Sequence, residues 1–191
     1  MLTNRIIRAF TFRREVYAEV EKDATFTTTA WLLVIVVGFL NQLGTHASGN
    51  LLNWLGSTVV GMVSVTIGFA LAAFVMGWVG RALFNADVTF EEMVRTLGLA
   101  YVWNVVGIVG ALSAISDLLS CVLAPALVLG WIMLVISWFV AAKEALDLDT
   151  GQTIVTVILG WIAFGLIWAF GSMVLNLLGW TAAAFGGLFG F

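Results

Sequence analysis

The sequence WIMLVISWFVAAKEALDLDTGQTIVTVILGW, residues 131–161, decides the fold because two long apolar runs meet in it at one charged corner. The corner, residues 143–152, contains every charged residue of the stretch. Neither apolar run is suited to water as a helix, whereas a bilayer accepts an apolar segment of about 20 residues as a transmembrane helix. The pattern therefore predicts an aqueous turn between two membrane-spanning helices, and the rest of the chain repeats this design.

The composition agrees with a membrane protein. Hydrophobic residues make up 62% of the 191 residues and charged residues only 10%, whereas soluble domains carry about 25% charged residues. A soluble fold would expose the excess as a large aggregation-prone surface. The net charge of −3 provides no basic surface for nucleic acid. The length suits a single domain.

Five apolar segments are long enough to be spans, and they predict an all-α polytopic bundle of five transmembrane helices. We place the spans at residues 27–43, 51–78, 97–115, 119–142 and 152–178. The domain organisation that follows is a cytoplasmic segment at 1–23, a membrane domain at 24–180 and a tail rich in glycine and phenylalanine at 181–191. The tail aromatics, which suit a membrane interface, are Trp180, Phe185, Phe189 and Phe191.

The N-terminal segment is too highly charged for the apolar core of a signal peptide, so we expect it to be retained. Its apolar residues recur at helical spacing, which predicts a short amphipathic helix in front of the first span. These residues are Leu2, Ile6, Ile7 and Phe10, followed in the same period by Phe12, Val16, Tyr17 and Val20.

The distribution of basic residues predicts the orientation. Cytoplasmic loops of membrane proteins are enriched in lysine and arginine. With five spans and a cytoplasmic N-terminus, all eight basic residues fall on the cytoplasmic side and none in the outer turns. The eight are Arg5, Arg8, Arg13, Arg14, Lys22, Arg81, Arg95 and Lys143.

Small residues form stripes that predict helix packing. Lipid provides no hydrophobic reason for helices to associate, so close backbone approach along small residues supplies the attraction. The stripe in the second span consists of Ser57, Gly61, Ser64, Gly68 and Ala72; it predicts packing within the chain or, alternatively, a homodimer face. The third span carries Ala100, Asn104, Gly107, Ala111 and Ala114 at α-helical spacing, and we expect Asn104 to bond to a neighbouring helix.

Catalytic and cofactor chemistry lacks candidates. The single histidine, His46, and the single cysteine, Cys121, cannot supply a zinc site, and the acidic residues avoid the centres of the spans, unlike those of ion-coupled transporters. We predict no enzyme, no cofactor and no metal site. One alternative remains for His46: besides being a hydrated turn residue, an imidazole at a membrane edge could ligate the magnesium of a chlorophyll.

Two turns resemble a known family. The sequences FEEMVR at residues 90–95 and GLAY at 98–101 resemble the signature of the Yip-domain family, its bacterial branch in particular, and ALDLDTG at 145–151 is similar to the family's turn between its fourth and fifth spans. The chain departs from the family where a proline is usual near Trp103 and where alanine is common at Thr153. The resemblance covers residues 12–160.

The resemblance implies a five-span bundle with a cytoplasmic N-terminus and no established catalytic residue. Eukaryotic members interact with Rab-type GTPases and help to shape or traffic membranes. We therefore expect a scaffold or trafficking-type protein, multi-pass in a bacterial cytoplasmic membrane. The alternative is an accessory subunit that packs against other membrane subunits of a respiratory or photosynthetic complex.

The two turns at residues 87–98 and 143–152 are the expected docking sites for a soluble partner. Thr89 and Glu92 have the spacing of a capping box, and Asp149 and Gln152 form a second candidate. A fixed helix start presents its charges in a defined geometry. The predicted contact surface consists of Glu91, Glu92, Arg95, Glu144 and Asp147.

Overall fold

The computed structural model describes residues 2–48 and 50–189, with side chains given as far as residue 177 apart from that of residue 117. Regular structure in these ranges is helical, and five helices are long and apolar enough to cross a membrane. The helices are α1 Leu2–Phe10, α2 Arg14–Lys22, α3 Phe26–Thr45, α4 Leu51–Phe84, α5 Phe90–Ala100 with a 3₁₀ continuation Tyr101–Ala114, α6 Asp117–Leu146 and α7 Thr150–Phe189. This architecture confirms the predicted helical polytopic bundle.

The N-terminal segment is two short helices rather than the single one expected. Phe12 adopts a left-handed conformation with φ 54°, and the chain reverses there between α1 and α2. Phe12 then stacks on Trp103 with ring centroids 5.5 Å apart. Because Phe12 keeps the apolar period of the surrounding sequence, the break carries no signal in the hydrophobic pattern.

Polar side chains fix the starts of the long helices. Asn50 accepts hydrogen bonds from the backbone N–H groups of Leu52 and Asn53 at the start of α4. At the start of α5, the Glu92 N–H donates to the Thr89 hydroxyl at 3.2 Å and the Thr89 N–H donates to the Glu92 carboxylate at 2.6 Å. This reciprocal pair confirms the first predicted capping box.

The second predicted box is only half present. The Asp149 carboxylate accepts from the Gln152 N–H at 2.9 Å and starts α7. The hydrogen bonds of the described residues include no return bond from the Gln152 side chain. Asp149 alone therefore satisfies a free donor at this terminus.

The third span changes helix type at Tyr101, where α5 gives way to the 3₁₀ segment. A 3₁₀ helix has three residues per turn, so residues three apart lie on one line. The face toward α3 is therefore Asn104, Gly107 and Gly110, and the expected α-helical stripe through Ala111 and Ala114 was wrong at its far end. The Asn41 amide of α3 donates to the backbone oxygen of Asn104 at 3.0 Å and to its side-chain oxygen at 3.3 Å, which confirms the predicted hydrogen bond between Asn104 and a neighbouring helix.

An aromatic cluster fills the centre of the bundle between α4, the 3₁₀ segment, α6 and α7. Trp138 is fully buried there. Its ring lies 4.9 Å from that of Trp161, and Phe164 meets it edge-to-face at 5.9 Å. Tilted and edge-to-face contacts of this kind are the preferred geometries of aromatic pairs.

The predicted tail, residues 181–191, is described only in part. The backbone of α7 is helical to Phe189. The interface prediction for the side chains of Trp180, Phe185, Phe189 and Phe191 lies outside the described side chains.

Candidate functional site at the N-terminal face

One end of the bundle, which we call the N-terminal face, carries α1, α2, the α4–α5 turn and the α6–α7 turn. The direction of each span places all eight basic residues of the chain at this end. The opposite face carries the turns that follow α3 and the 3₁₀ segment. The predicted partner-binding residues all belong to the N-terminal face.

Ion pairs hold α1 against α2. The Arg5 Nε atom lies 2.9 Å from a Glu19 carboxylate oxygen, and Arg8 Nη1 lies 2.7 Å from the other oxygen of that group. Arg5 also pairs with Asp23 at 2.9 Å. Hydrogen bonds from Arg8 and Arg5 hold the pKa of the Glu19 carboxyl below its ordinary value. The two short helices therefore form one hairpin.

Helix α2 is anchored in the protein rather than in lipid. Val16, Tyr17 and Val20 are fully buried. The Tyr17 hydroxyl lies 2.9 Å from the Ser137 hydroxyl, in hydrogen-bond contact with α6. Burial raises the pKa of the Tyr17 phenol. The apolar side of α2 thus packs against the bundle.

Arg95 is a structural residue. Its side chain lies in the protein, with the residue 6% exposed. Its Nε atom donates to the Glu21 carbonyl oxygen at 2.9 Å, and Nη1 donates to the Thr27 hydroxyl at 3.2 Å. A charged side chain that is buried must have such partners. We therefore remove Arg95 from the proposed contact surface: it locks the end of α2 to α5.

The other four predicted contact residues leave an acidic surface at this face. Glu91 and Asp147 are exposed, and Glu92 and Glu144 are half-buried. Burial, followed by the charges of Asp147 and Glu92, raises the pKa of the Glu21 carboxyl, and Glu144 acts in the same direction.

The cations at this surface offset its acidic charge only in part: Lys22 lowers the pKa of the Glu21 carboxyl, but Asp147 and Glu92 each raise it by more. Glu92 lies 3.9 Å from Arg95 Nη2, at the limit of an ion pair. Lys143 donates a hydrogen bond to the Thr150 hydroxyl at 2.7 Å. The carboxylates around Glu21 therefore repel one another, which a basic partner would relieve. We call Glu21, Glu92, Glu144 and Asp147, with Glu91 at the edge, the acidic surface.

Asp147 also has a backbone role that its charge does not reveal. It is the C-cap residue of α6 and adopts a left-handed conformation with φ 48°. Aspartate and asparagine tolerate this conformation better than most residues.

The predicted packing residues lie at three different contacts. A side chain at Gly61 would meet Gln42 and His46, and one at Gly68 would approach Phe164 of α7 to 3.2 Å. A side chain at Gly107 would meet Asn41 of α3. The structure places Gly61, Gly68 and Ala72 in buried positions and Ser57, Ser64 and Gly107 in half-buried ones.

A cavity of about 430 Å³ lies between α3, the 3₁₀ segment, α6 and α7. Its lining residues come from the end of α3 and from the middle of α6 and α7, which places it in the half of the bundle away from the N-terminal face. Sequence reasoning missed it because the space between helices depends on how they pack.

His46 follows α3 and is half-buried beside Gly61. Burial lowers the pKa of its imidazole. Within the described residues no group of three or more His, Cys, Asp and Glu side chains is placed to hold a metal ion. The possibility of a pigment at His46 stays a hypothesis.

Comparison with known proteins identifies one family. A family model described as the Yip1 domain matches residues 7–171. No curated protein and no solved structure matches the chain. The matched region begins in α1 and ends at residue 171 of α7, so it includes the first four spans, most of the fifth span Thr150–Leu177, and both turns of the N-terminal face.

Proposed function

The chain belongs to the Yip1 domain family, and on this premise we propose that it is a non-enzymatic membrane scaffold or trafficking-type protein that binds a soluble partner at its N-terminal face. The observation that carries the proposal is the acidic surface. Several carboxylates converge there around Glu21, whose pKa is raised by burial and by these neighbours. A partner with a basic segment would relieve that repulsion.

The surrounding contacts make the acidic surface a fixed platform. The Arg95 side chain ties Glu21 to α5, and the capping box fixes Glu92. Charges that are positioned before binding lose less conformational entropy when the partner arrives. The positive-inside rule, which favours a cytoplasmic position for this face, supports a cytoplasmic partner.

The experiment removes three of the five charges of the acidic surface and leaves Glu21 and the capping residue Glu92 unchanged. The combined variant Glu91→Gln, Glu144→Gln and Asp147→Asn removes three charges, and asparagine is tolerated at the left-handed position 147. Glu15→Gln, an exposed residue of α2 outside the acidic surface, is the matched control.

We expect the combined variant to recover less of a cross-linked soluble partner from cells than the wild type, and Glu15→Gln to recover the same amount. Quantitative mass spectrometry after cross-linking measures the ratio, and melting in detergent verifies that each variant is folded. Equal recovery from a folded combined variant would show that the acidic surface is not the docking site.

A second function, an accessory subunit of a larger membrane complex, is favoured by α6. This helix leaves many large apolar residues exposed, although part of that surface faces lipid in any membrane protein. The exposed residues are Leu118, Val122, Val128, Leu129, Trp131, Ile132 and Ile136. Purification in mild detergent separates the two functions, because an accessory subunit would elute with stoichiometric membrane partners.

A further inference from the structure

We propose that the cavity between α3, the 3₁₀ segment, α6 and α7 is a binding site for an uncharged membrane lipid with a carbonyl-bearing head. This site is separate from the acidic surface and its occupation does not depend on the proposed docking. The cavity volume of about 430 Å³ lies within the range of ligand sites, about 300–1,000 Å³. It suits a lipid head with the first part of its chain.

The lining excludes a charged ligand. Among the side chains that the structure describes, no Asp, Glu, Lys, Arg or His lines the cavity. A phosphate or carboxylate placed there would be away from water with no counter-charge, which is strongly unfavourable. The occupant must therefore be neutral.

Polar groups gather at one end of the lining. Three of its residues carry amides, Asn41, Gln42 and Asn104. They are linked, because Gln42 Nε2 donates to Asn41 Oδ1 at 3.3 Å and Asn41 Nδ2 donates to the Asn104 carbonyl oxygen at 3.0 Å. Amide clusters in a mainly apolar wall are the groups that orient a ligand in a typical site.

One amide of the wall keeps a free donor. Asn104 lines the cavity, and its carbonyl and side-chain oxygens both accept from Asn41. Its Nδ2 group donates to no acceptor among the hydrogen bonds of the described residues. A free donor in a mainly apolar wall favours carbonyl oxygen on the ligand, in an ester or a quinone.

The cavity connects with the lipid phase. Trp131 of α6 and Trp168 of α7 both line it, yet they are 58% and 50% exposed at the membrane-facing surface. A lipid could therefore insert its head between these two helices while its chain stays in the bilayer. Aromatic faces on both sides of the opening would contact the inserted part.

Gly165 leaves open space in the cavity wall, and a larger side chain at this position would fill the cavity. Gly165 lines the cavity, and a Cβ atom at this position would have no atom within 4 Å. Gly165→Leu should occupy the cavity without displacing a neighbour. Gly56 of α4 is equally open and does not line the cavity, so Gly56→Leu is the matched control.

The carbonyl oxygen could belong to a quinone or to an ester lipid, and one probe represents each. The quinone probe is a ubiquinone with a single isoprenoid unit, and the ester probe is dioctanoylglycerol. Decanoate, an anionic chain of similar length, is the control for charge. Four of the nine tryptophans line the cavity, so binding of the quinone is measured by quenching of tryptophan fluorescence in detergent. Dioctanoylglycerol is measured by the rise in melting temperature.

We expect at least one neutral probe to bind saturably to the wild type and to Gly56→Leu, and to lose saturable binding in Gly165→Leu. Which probe binds identifies the source. Asn104→Leu should weaken binding by about tenfold, the effect of one lost hydrogen bond. A melting curve for each variant without probe confirms folding.

Three results would overturn the proposal. Non-saturable quenching equal in all variants would mean partitioning into detergent. Unchanged binding in a folded Gly165→Leu variant would place the site elsewhere. Tighter binding of decanoate than of either neutral probe would contradict the neutral head.

Discussion

At the scale of single residues, Glu19 fixes the position of α1. It accepts from both Arg5 and Arg8, and within the described part of the chain no other carboxylate joins two basic residues of α1 to α2. Exposed ion pairs are individually weak because solvent screens them. Here two guanidinium groups share one carboxylate, so its loss removes two contacts between α1 and α2.

Glu19→Gln should release α1 from α2. We expect faster amide hydrogen exchange over residues 2–10, because neutral glutamine no longer attracts two arginines. Hydrogen exchange with mass spectrometry of protein in detergent measures this. Glu15→Gln, which changes the same charge on an exposed part of α2, should leave exchange unchanged; equal acceleration in both variants would contradict the role of Glu19.

The carboxyl groups of Glu19 and Asp23 predict how the stability of the α1–α2 hairpin depends on pH. Glu19 and Asp23 have lowered pKa values, through hydrogen bonds from arginine and from Thr25 respectively. A lowered folded-state pKa contributes stability above the unfolded value, and this stability is lost as the pH falls through the folded value. We therefore expect α1 to loosen only in acid, below the ordinary pKa of glutamate. Its exchange, corrected for intrinsic rate, should be constant near neutrality.

Residue roles could be predicted where the local sequence contains the whole interaction. Thr89 and Glu92 are three residues apart and bond to each other, so the capping box was readable from the chain. Arg95 bonds instead to Glu21, far away in sequence. No local pattern separates a buried arginine of this kind from an exposed one, which explains why it was assigned to the contact surface.

At the scale of elements, α3 and the 3₁₀ segment come into backbone contact. A Cβ atom at Gly44 would overlap the carbonyl oxygen of Gly107, and one at Gly110 would lie 2.9 Å from the Gly44 carbonyl oxygen. The glycines allow the two backbones to touch, which increases dispersion contacts and suits a membrane interior.

Gly44→Ala should destabilise the protein, by about 1–3 kcal/mol as for other overpacked sites. The obstacle is the backbone carbonyl of Gly107, which no side-chain rotation can move. Gly56→Ala is the control, because its Cβ meets no atom within 4 Å and alanine favours a helix over glycine by up to about 1 kcal/mol. The melting temperature in detergent should fall for Gly44→Ala and should not fall for Gly56→Ala. An unchanged melting temperature for Gly44→Ala would mean that the two helices can separate without loss.

The helix type of the third span could not be predicted from sequence. Residues 101–114 contain valine, glycine and alanine in an order that fits either an α-helical or a 3₁₀ stripe, since both include Asn104 and Gly107. The choice between Gly110 and Ala111 as the next contact depends on α3, whose Gly44 fits against Gly110. Tertiary packing decides where the local sequence is neutral.

At the scale of the whole molecule, the positions of the spans follow from composition. The expected span at residues 51–78 lies within α4, Leu51–Phe84, and the expected turn at 143–152 contains the break between the end of α6 at Leu146 and the start of α7 at Thr150. Long apolar runs and charged turns specify these boundaries through the cost of placing backbone and charge in lipid. The cavity and the acidic surface depend instead on contacts between distant elements, and neither has a linear signature.

The orientation of the molecule gives the last prediction. Three spans, α4, α5 with its 3₁₀ continuation, and α6, separate the turn after α3 from the turn before α7, so we expect these turns on opposite sides of the membrane. The basic residues predict that the second turn is cytoplasmic. Cys121, which is exposed on α6, is first replaced by serine so that no native thiol reacts. Single cysteines at Ser48 and at Thr150 then lie in the two turns. A membrane-impermeant maleimide added to intact cells should label the Ser48→Cys variant and should label the Thr150→Cys variant only after the membrane is opened. The reverse pattern would show that the protein has the opposite orientation, with the acidic surface outside the cytoplasm. Labelling of both cysteine variants from the same side would contradict the five-span fold in the membrane.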